Sequence, residues 1–246
     1  MPIIDYVDFS TGDLSQLDFA RVCLGGEPGY CSAEVQSEIF HSPPYACRLW
    51  LADPCLGDIY RRIELYMGTE KGEPMVQRYT MPEVYVSGYL HLPPDFRLRQ
   101  RPDGGKGWHT IMSIRELAGG ESYQLTVVLQ QRVVEDERNL QVASGVRGTV
   151  EPDQNFAFSE KPVPFGKWIH FVLHEVRGNP GLLEVYQDED RIISVQRRTW
   201  GFQDNYRCEW KHYTNVCQYS QWTVWDDLTV SDTYPATPPP PPDPAT

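Results

Sequence analysis

Residues 84–92 read VYVSGYLHL, and the alternation in this stretch decides the fold. Successive side chains of an extended strand point to opposite faces. Val84, Val86, Leu90 and Leu92 therefore form an oily face, and Tyr85, Ser87, Tyr89 and His91 an outward one. The same period of two sets Ile63 and Leu65 against Arg62 and Glu64. It sets Trp108, Met112 and Ile114 against His109, Ser113 and Arg115. In residues 123–130 the outward set is Gln124, Thr126, Val128 and Gln130. Further runs at 33–40, 46–51, 167–176, 182–186, 191–196 and 222–230 place strand formers between turn residues. Helical periodicity is weak throughout, with residues 11–19 at most a short turn. Ten or more short strands predict an all-β fold, two antiparallel sheets packed face to face as a jelly-roll sandwich.

The composition agrees. Seven Trp, 14 Tyr and 9 Phe among 21 Pro and 19 Gly describe many short strands separated by turns. We expect one sandwich domain over residues 1–234 and a Pro-rich linker or tail over 235–246. The closing TPPPPPDPAT of residues 237–246 has no apolar surface to bury and suits a stiff spacer to another module or a self-assembly segment. No stretch approaches the roughly 20 apolar residues of a membrane span. A net charge of −12 argues against general binding to nucleic acid, which rests on neutralising phosphates with Lys and Arg. A local basic groove remains compatible with it.

The six cysteines fall into pairs close in sequence: Cys23 with Cys31, Cys47 with Cys55, and Cys208 with Cys217, spaced eight, eight and nine residues apart. Bridged loops are the expected reading, with zinc as the competing one, although no CxxC occurs. Disulfides imply an oxidising compartment and a secreted protein. The residues after Met1 lack the charged, apolar and small-residue series of a leader, so a signal peptide would have been removed upstream.

The outward sets are rich in His, Arg, Tyr and Gln. Aromatic rings stack on the C–H faces of sugars, and planar polar groups pair with their hydroxyls. This predicts a polysaccharide partner on one concave face built from Arg62, Tyr85, Tyr89, His91, His109, Arg115, Gln130, His174 and Lys211. Arg97, Arg99, Arg101 and Lys106 form a basic run that would steer an anionic polymer toward one edge of that face. No HExxH, P-loop, GxGxxG or GxSxG is present.

Several segments, in order, carry a family resemblance: DFSTGDLSQLD at Asp8–Asp18, RIEL at Arg62–Leu65, GYLHLPPDF at Gly88–Phe96, GKW at Gly166–Trp168, GLLEVYQDED at Gly181–Asp190 and VWDDLTVSD at Val224–Asp232. Together they resemble the concanavalin A-like lectin and glucanase superfamily, and within it the jelly-roll polysaccharide lyases of heparin, glucuronan and alginate type. The resemblance implies β-elimination from a uronate polymer. An Arg on the RxEL strand and a Gln/His pair would neutralise the carboxylate, after which a Tyr or His takes the C5 proton. Arg62 fits the first role and Tyr206 the tyrosine, with His109 and His174 as available histidines. The Gln/His strand departs from the pattern, since it reads Ile111-Met112-Ser113-Ile114-Arg115 and offers Arg115 instead. The resemblance also implies a structural calcium ion where the terminal strands meet, held by Asp8, Gly12, Asp13, Asp226 and Asp227. The readings that stand beside the lyase are a binding module without catalysis and a structural subunit of an extracellular assembly.

Overall fold

The computed structural model describes residues 3–24, 30–52, 61–101, 104–118, 121–148, 156–199, 205–214 and 221–235. Among them there is no helix. The strands are β1 (Ile3–Val7), β2 (Phe19–Leu24), β3 (Cys31–Gln36), β4 (Ala46–Leu51), β5 (Arg61–Met67), β6 (Thr69–Glu70), β7 (Glu73–Gln77), β8 (Glu83–His91) and β9 (Trp108–Ala118). They continue as β10 (Glu121–Gln131), β11 (Leu140–Gly148), β12 (Ala157–Pro162), β13 (Trp168–Val176), β14 (Gly181–Gln187), β15 (Asp190–Arg197), β16 (Arg207–Thr214) and β17 (Gln221–Ser231).

Two antiparallel sheets form the sandwich. One runs β15-β14-β13-β8-β17-β4-β3, with β1 also paired to β17; the other runs β12-β11-β10-β9-β16-β5-β2. The far edge of β17 is shared, because β4 pairs with Gln221–Trp225 and β1 with Leu228–Ser231. Between the sheets lie Val84, Val86, Leu90 and Leu92 from β8 and the loop that follows, and Ile63, Leu65, Met112 and Ile114 from the facing sheet, with Trp210 and Trp225 among the largest buried side chains.

Two of the register shifts among the described strands bear on which way the site residues face. On β9, Met112 and Thr110 pair with the consecutive Val127 and Val128, so Ile111 has no partner across β10. The extra residue flips every side chain before it. Trp108, expected inside, sits beside Tyr213 with ring centroids 5.2 Å apart, while His109, expected outside, turns into the core against Phe96 and His212. On β17, Asp227 and Leu228 lie opposite Gly88 alone, and Asp227 adopts φ 50°.

Two of the expected disulfides are not formed. Cys47 and Cys208 are buried free thiols, each on the core side of its strand. Strand placement is the reason: their apolar surroundings hold them as inert thiols, with burial pushing both upward in pKa. Cys31 is disulfide-bonded. The side chains of Cys23, Cys55 and Cys217 lie outside the described residues, as do residues 236–246 of the Pro-rich segment.

Candidate functional site

The outer face of the seven-stranded sheet is built by four adjacent strands. β5 contributes Arg62, Glu64 and Tyr66. β16 contributes Arg207, Glu209, Lys211 and Tyr213, and it joins β5 with Lys211 opposite Glu64 and Tyr213 opposite Arg62. β9 adds Ser113 and Arg115, opposite Glu209 and Arg207. β2 adds Arg21 opposite Glu64. In each strand these residues alternate with core residues such as Ile63, Leu65, Cys208, Trp210, Met112 and Ile114.

Two carboxylates knit this face together. Glu64 lies 3.6 Å from Arg21, Arg62 and Lys211 and accepts from the Tyr66 hydroxyl. Glu209 takes Arg207 at 2.7 Å and Arg115 at 3.9 Å, accepts from Ser113 Oγ at 2.7 Å, and also pairs with Lys211. Lys211 thus bridges both carboxylates across the sheet. Burial by itself would raise the Glu209 carboxyl, but Lys211, Arg207 and Arg115 override it and hold the group well below the usual carboxylate range. Burial lowers Lys211, with Glu209 and Glu64 opposing. Tyr66 is pushed up by burial and by its two carboxylate neighbours, so it stays a neutral phenol.

The cations outnumber the carboxylates, and they differ in reach. Lys211 and Arg207 form a sealed floor at 1% side-chain exposure, whereas Arg21, Arg62 and Arg115 keep 23%, 20% and 18% exposed. The Arg62 guanidinium also lies 5.7 Å from the Tyr213 ring, which meets Trp108 edge-on. Beyond β9, half-buried Gln124 and Gln130 extend the face, with half-buried Gln141 across from Gln130 on β11. The result is a face with a positive centre, an aromatic rim and amide flanks.

The residues expected to share one groove are divided among three layers. Arg62, Arg115, Gln130 and Lys211 are together on this face. Tyr85, Tyr89, His91 and His174 are on the outer face of the opposite sheet, where His174 bonds Glu184 at 2.9 Å and Glu83 at 3.0 Å and stacks on Tyr85. Tyr89 is covered by the His41 ring at 3.5 Å and is 5% exposed. His109 and Tyr206 belong to the middle layer. Burial drives His109 down to about 3, so it is neutral and sealed. Tyr206 is fully buried, its hydroxyl 3.4 Å from the Met81 carbonyl and the Arg177 guanidinium 4.9 Å from its ring. A base in that position faces away from Arg62 and Arg115, so the roles expected of Tyr206, His109 and His174 are not met.

The terminal strands pair as the calcium expectation requires, but the donor set does not assemble. Asp8 is taken up by Ser10 and Gln16, and Asp13 by Thr11 and Ser15. Asp226 accepts from the backbone of His41, Ser42 and Asp227, while Asp227 accepts from His41, Ser42 and Tyr6. N–H and O–H groups therefore point their positive ends where an ion would need oxygen. Among the described residues, no three acidic, His or Cys side chains form a metal-ligating group. Asp8, Gly12, Asp13, Asp226 and Asp227 do not fit as a common calcium site.

The charged face draws on residues beyond the expected site residues: Arg21, Tyr66, Arg207 and Glu209. Their signal was present, since Arg207, Glu209 and Lys211 alternate with Cys208 and Trp210.

No family profile and no curated protein matches the chain. Solved structures do. An endo-β-1,4-glucuronan lyase from the fungus Trichoderma reesei superposes with a TM-score of 0.66 at 14% identity, over 94% of this chain and 96% of that one. The alginate lyase Aly36B gives 0.56 at 10% identity over 85% of each chain. The cellulose-induced protein Cip1 gives 0.51 at 13% identity, over 93% and 97%. The chain shares the jelly-roll fold of these solved structures, two antiparallel sheets packed face to face.

Proposed function

We propose that this chain binds an acidic, uronate-containing polysaccharide along the outer face of its seven-stranded sheet. One observation carries the reading: Arg21, Arg62 and Arg115 are partly exposed guanidinium groups on a face whose carboxylates are already paired. Arginine's planar fork matches a carboxylate in two parallel hydrogen bonds. Tyr213 and Trp108 supply an apolar surface for a sugar ring next to Arg62. The jelly-roll neighbours named as glucuronan and alginate lyases support the same ligand class. A glycan ligand of this kind and the Cys31 disulfide support a secreted setting.

The test is calorimetric titration of polyglucuronate, alginate and a neutral β-glucan. The uronans bind and the glucan does not. Arg62→Gln combined with Arg115→Gln weakens uronan binding at least about tenfold, as expected when charge-assisted hydrogen bonds are lost. Equal affinity of the double variant sinks the reading.

A second reading, β-elimination, is favoured by one juxtaposition. Arg62 and the Tyr213 phenol are opposite each other on adjacent strands. Arg62 would neutralise the uronate carboxylate, and Tyr213, as its phenolate, would take the C5 proton and hand it to the departing O4 while the C4–O bond breaks and a C4–C5 double bond forms. Ultraviolet absorbance of the unsaturated product, abolished by Tyr213→Phe, identifies this activity.

A further inference from the structure

A separate cleft opens at the end of the sandwich where the loop after β8 crosses from one sheet to the other. It has a volume of about 290 Å³ and is lined by Pro93, Phe96, Arg97, Arg138, Gln221 and Trp222, with Asp95 at its side. None of these residues belongs to the charged face described above. The size is near the lower end of small-molecule sites and suits a single sugar ring better than an extended polymer.

Its walls are built in advance. The Phe96 amide closes a turn on the Pro93 carbonyl at 3.0 Å, and the Leu98 amide ties this loop to the Glu137 carbonyl at 2.9 Å. Arg138 is held in place although exposed: it donates to the Pro94 carbonyl at 2.5 Å, and its guanidinium lies 5.1 Å from the Phe165 ring. A cation fixed by its neighbours loses little freedom when it meets an anion. Trp222 is half-buried, flanked by the His91 ring at 5.8 Å and the Arg48 guanidinium at 5.4 Å, and gives the cleft a fixed aromatic side.

The floor contains a polar atom in need of a partner. Gln221 is 8% exposed, and among the described residues its Oε1 accepts no hydrogen bond. A buried acceptor left without a donor costs about 1–3 kcal/mol, and a hydroxyl entering the cleft would satisfy it. Aromatic side, unsatisfied amide oxygen and paired guanidiniums describe one kind of guest. We infer that the cleft binds a single acidic monosaccharide unit, its ring against Trp222, a hydroxyl donating to Gln221 Oε1 and its carboxylate on Arg138 and Arg97.

This inference is independent of polymer binding on the seven-stranded sheet, and the test keeps the two apart. The folded chain is titrated calorimetrically with glucuronic acid, glucose and inorganic phosphate. Glucuronic acid binds at least about tenfold more tightly than the other two, the margin expected of a charge-assisted contact combined with ring stacking. Measured in the Arg62→Gln, Arg115→Gln background, where the sheet face is disabled, Arg138→Gln and Trp222→Ala each weaken it by a similar factor. Circular dichroism verifies that each variant is folded, and Arg138→Gln alone decides if Trp222→Ala is not. The inference is overturned if wild-type protein takes up no glucuronic acid, if phosphate binds as well, or if Arg138→Gln binds as that background does.

Discussion

At the scale of single residues, the chain buries charge in two distinct ways. Glu209 is buried among cations and stays ionised, whereas Glu175 is buried with too little compensation. Burial raises Glu175 to about 8, against the pull of Arg177 and with a push from Glu116. Among the described residues its Oε2 accepts no hydrogen bond. Between the ordinary carboxylate range and about pH 8 the folded chain keeps a proton here that the unfolded chain has released. The associated stability is complete below the unfolded pKa and is lost as pH rises through the folded one. Glu175→Gln removes this dependence. The thermal midpoints of variant and wild type should be similar at pH 5 and diverge by pH 8.5, where the variant is more stable by up to about 4 kcal/mol. Equal midpoints at both pH values would mean that Glu175 is ionised throughout. The same contrast explains why Tyr206 makes a poor base: burial raises its pKa, and its ring is packed beneath Arg177.

At the scale of strands, register is set by the bulges. Gly88 sits opposite the β17 bulge, where a Cβ would come within 3.0 Å of Leu228 and 3.1 Å of Trp210 Nε1. Gly88→Ala should therefore overpack the centre of the sandwich and cost about 1–3 kcal/mol. Denaturant unfolding measures it, and an unchanged midpoint would show that Leu228 can move aside. The ten strands anticipated in the sequence all form, because their alternation was long enough to fix a buried face. Residues 207–214 are not among the expected strands, although Cys208 and Trp210 alternate there with the charges Arg207, Glu209 and Lys211. Those charges are tolerated on a strand because they neutralise one another across three neighbouring strands, an arrangement that periodicity cannot reveal. The site was legible only in part for a related reason. Alternation places Arg62 and Arg115 on the correct face, while the extra Ile111, whose insertion leaves no mark in the local pattern, inverts His109. Alternation also cannot say which sheet a strand joins, so it does not separate Tyr85, Tyr89 and His174 from Arg62 and Arg115 on the opposite sheet.

At the scale of the whole molecule, the proposed ligand and the protein have charge of the same sign. The chain carries −12, yet cations outnumber carboxylates on the outer face of the seven-stranded sheet. At about 0.01 M salt the screening length is roughly 30 Å, so an approaching polyanion feels the whole negative chain; near 0.1 M it shrinks to about 10 Å, and only the local face is felt. Long-range repulsion governs encounter, and short-range pairing governs residence. The association rate with a uronan should therefore rise as salt increases from about 0.01 to 0.1 M, while dissociation accelerates above that range as the exposed guanidinium contacts are screened. Surface plasmon resonance on an immobilised uronan reads both rates. An association rate that falls steadily from the lowest salt would mean that the basic face outweighs the remainder of the chain even at a distance, and that the global charge plays no part in choosing the ligand.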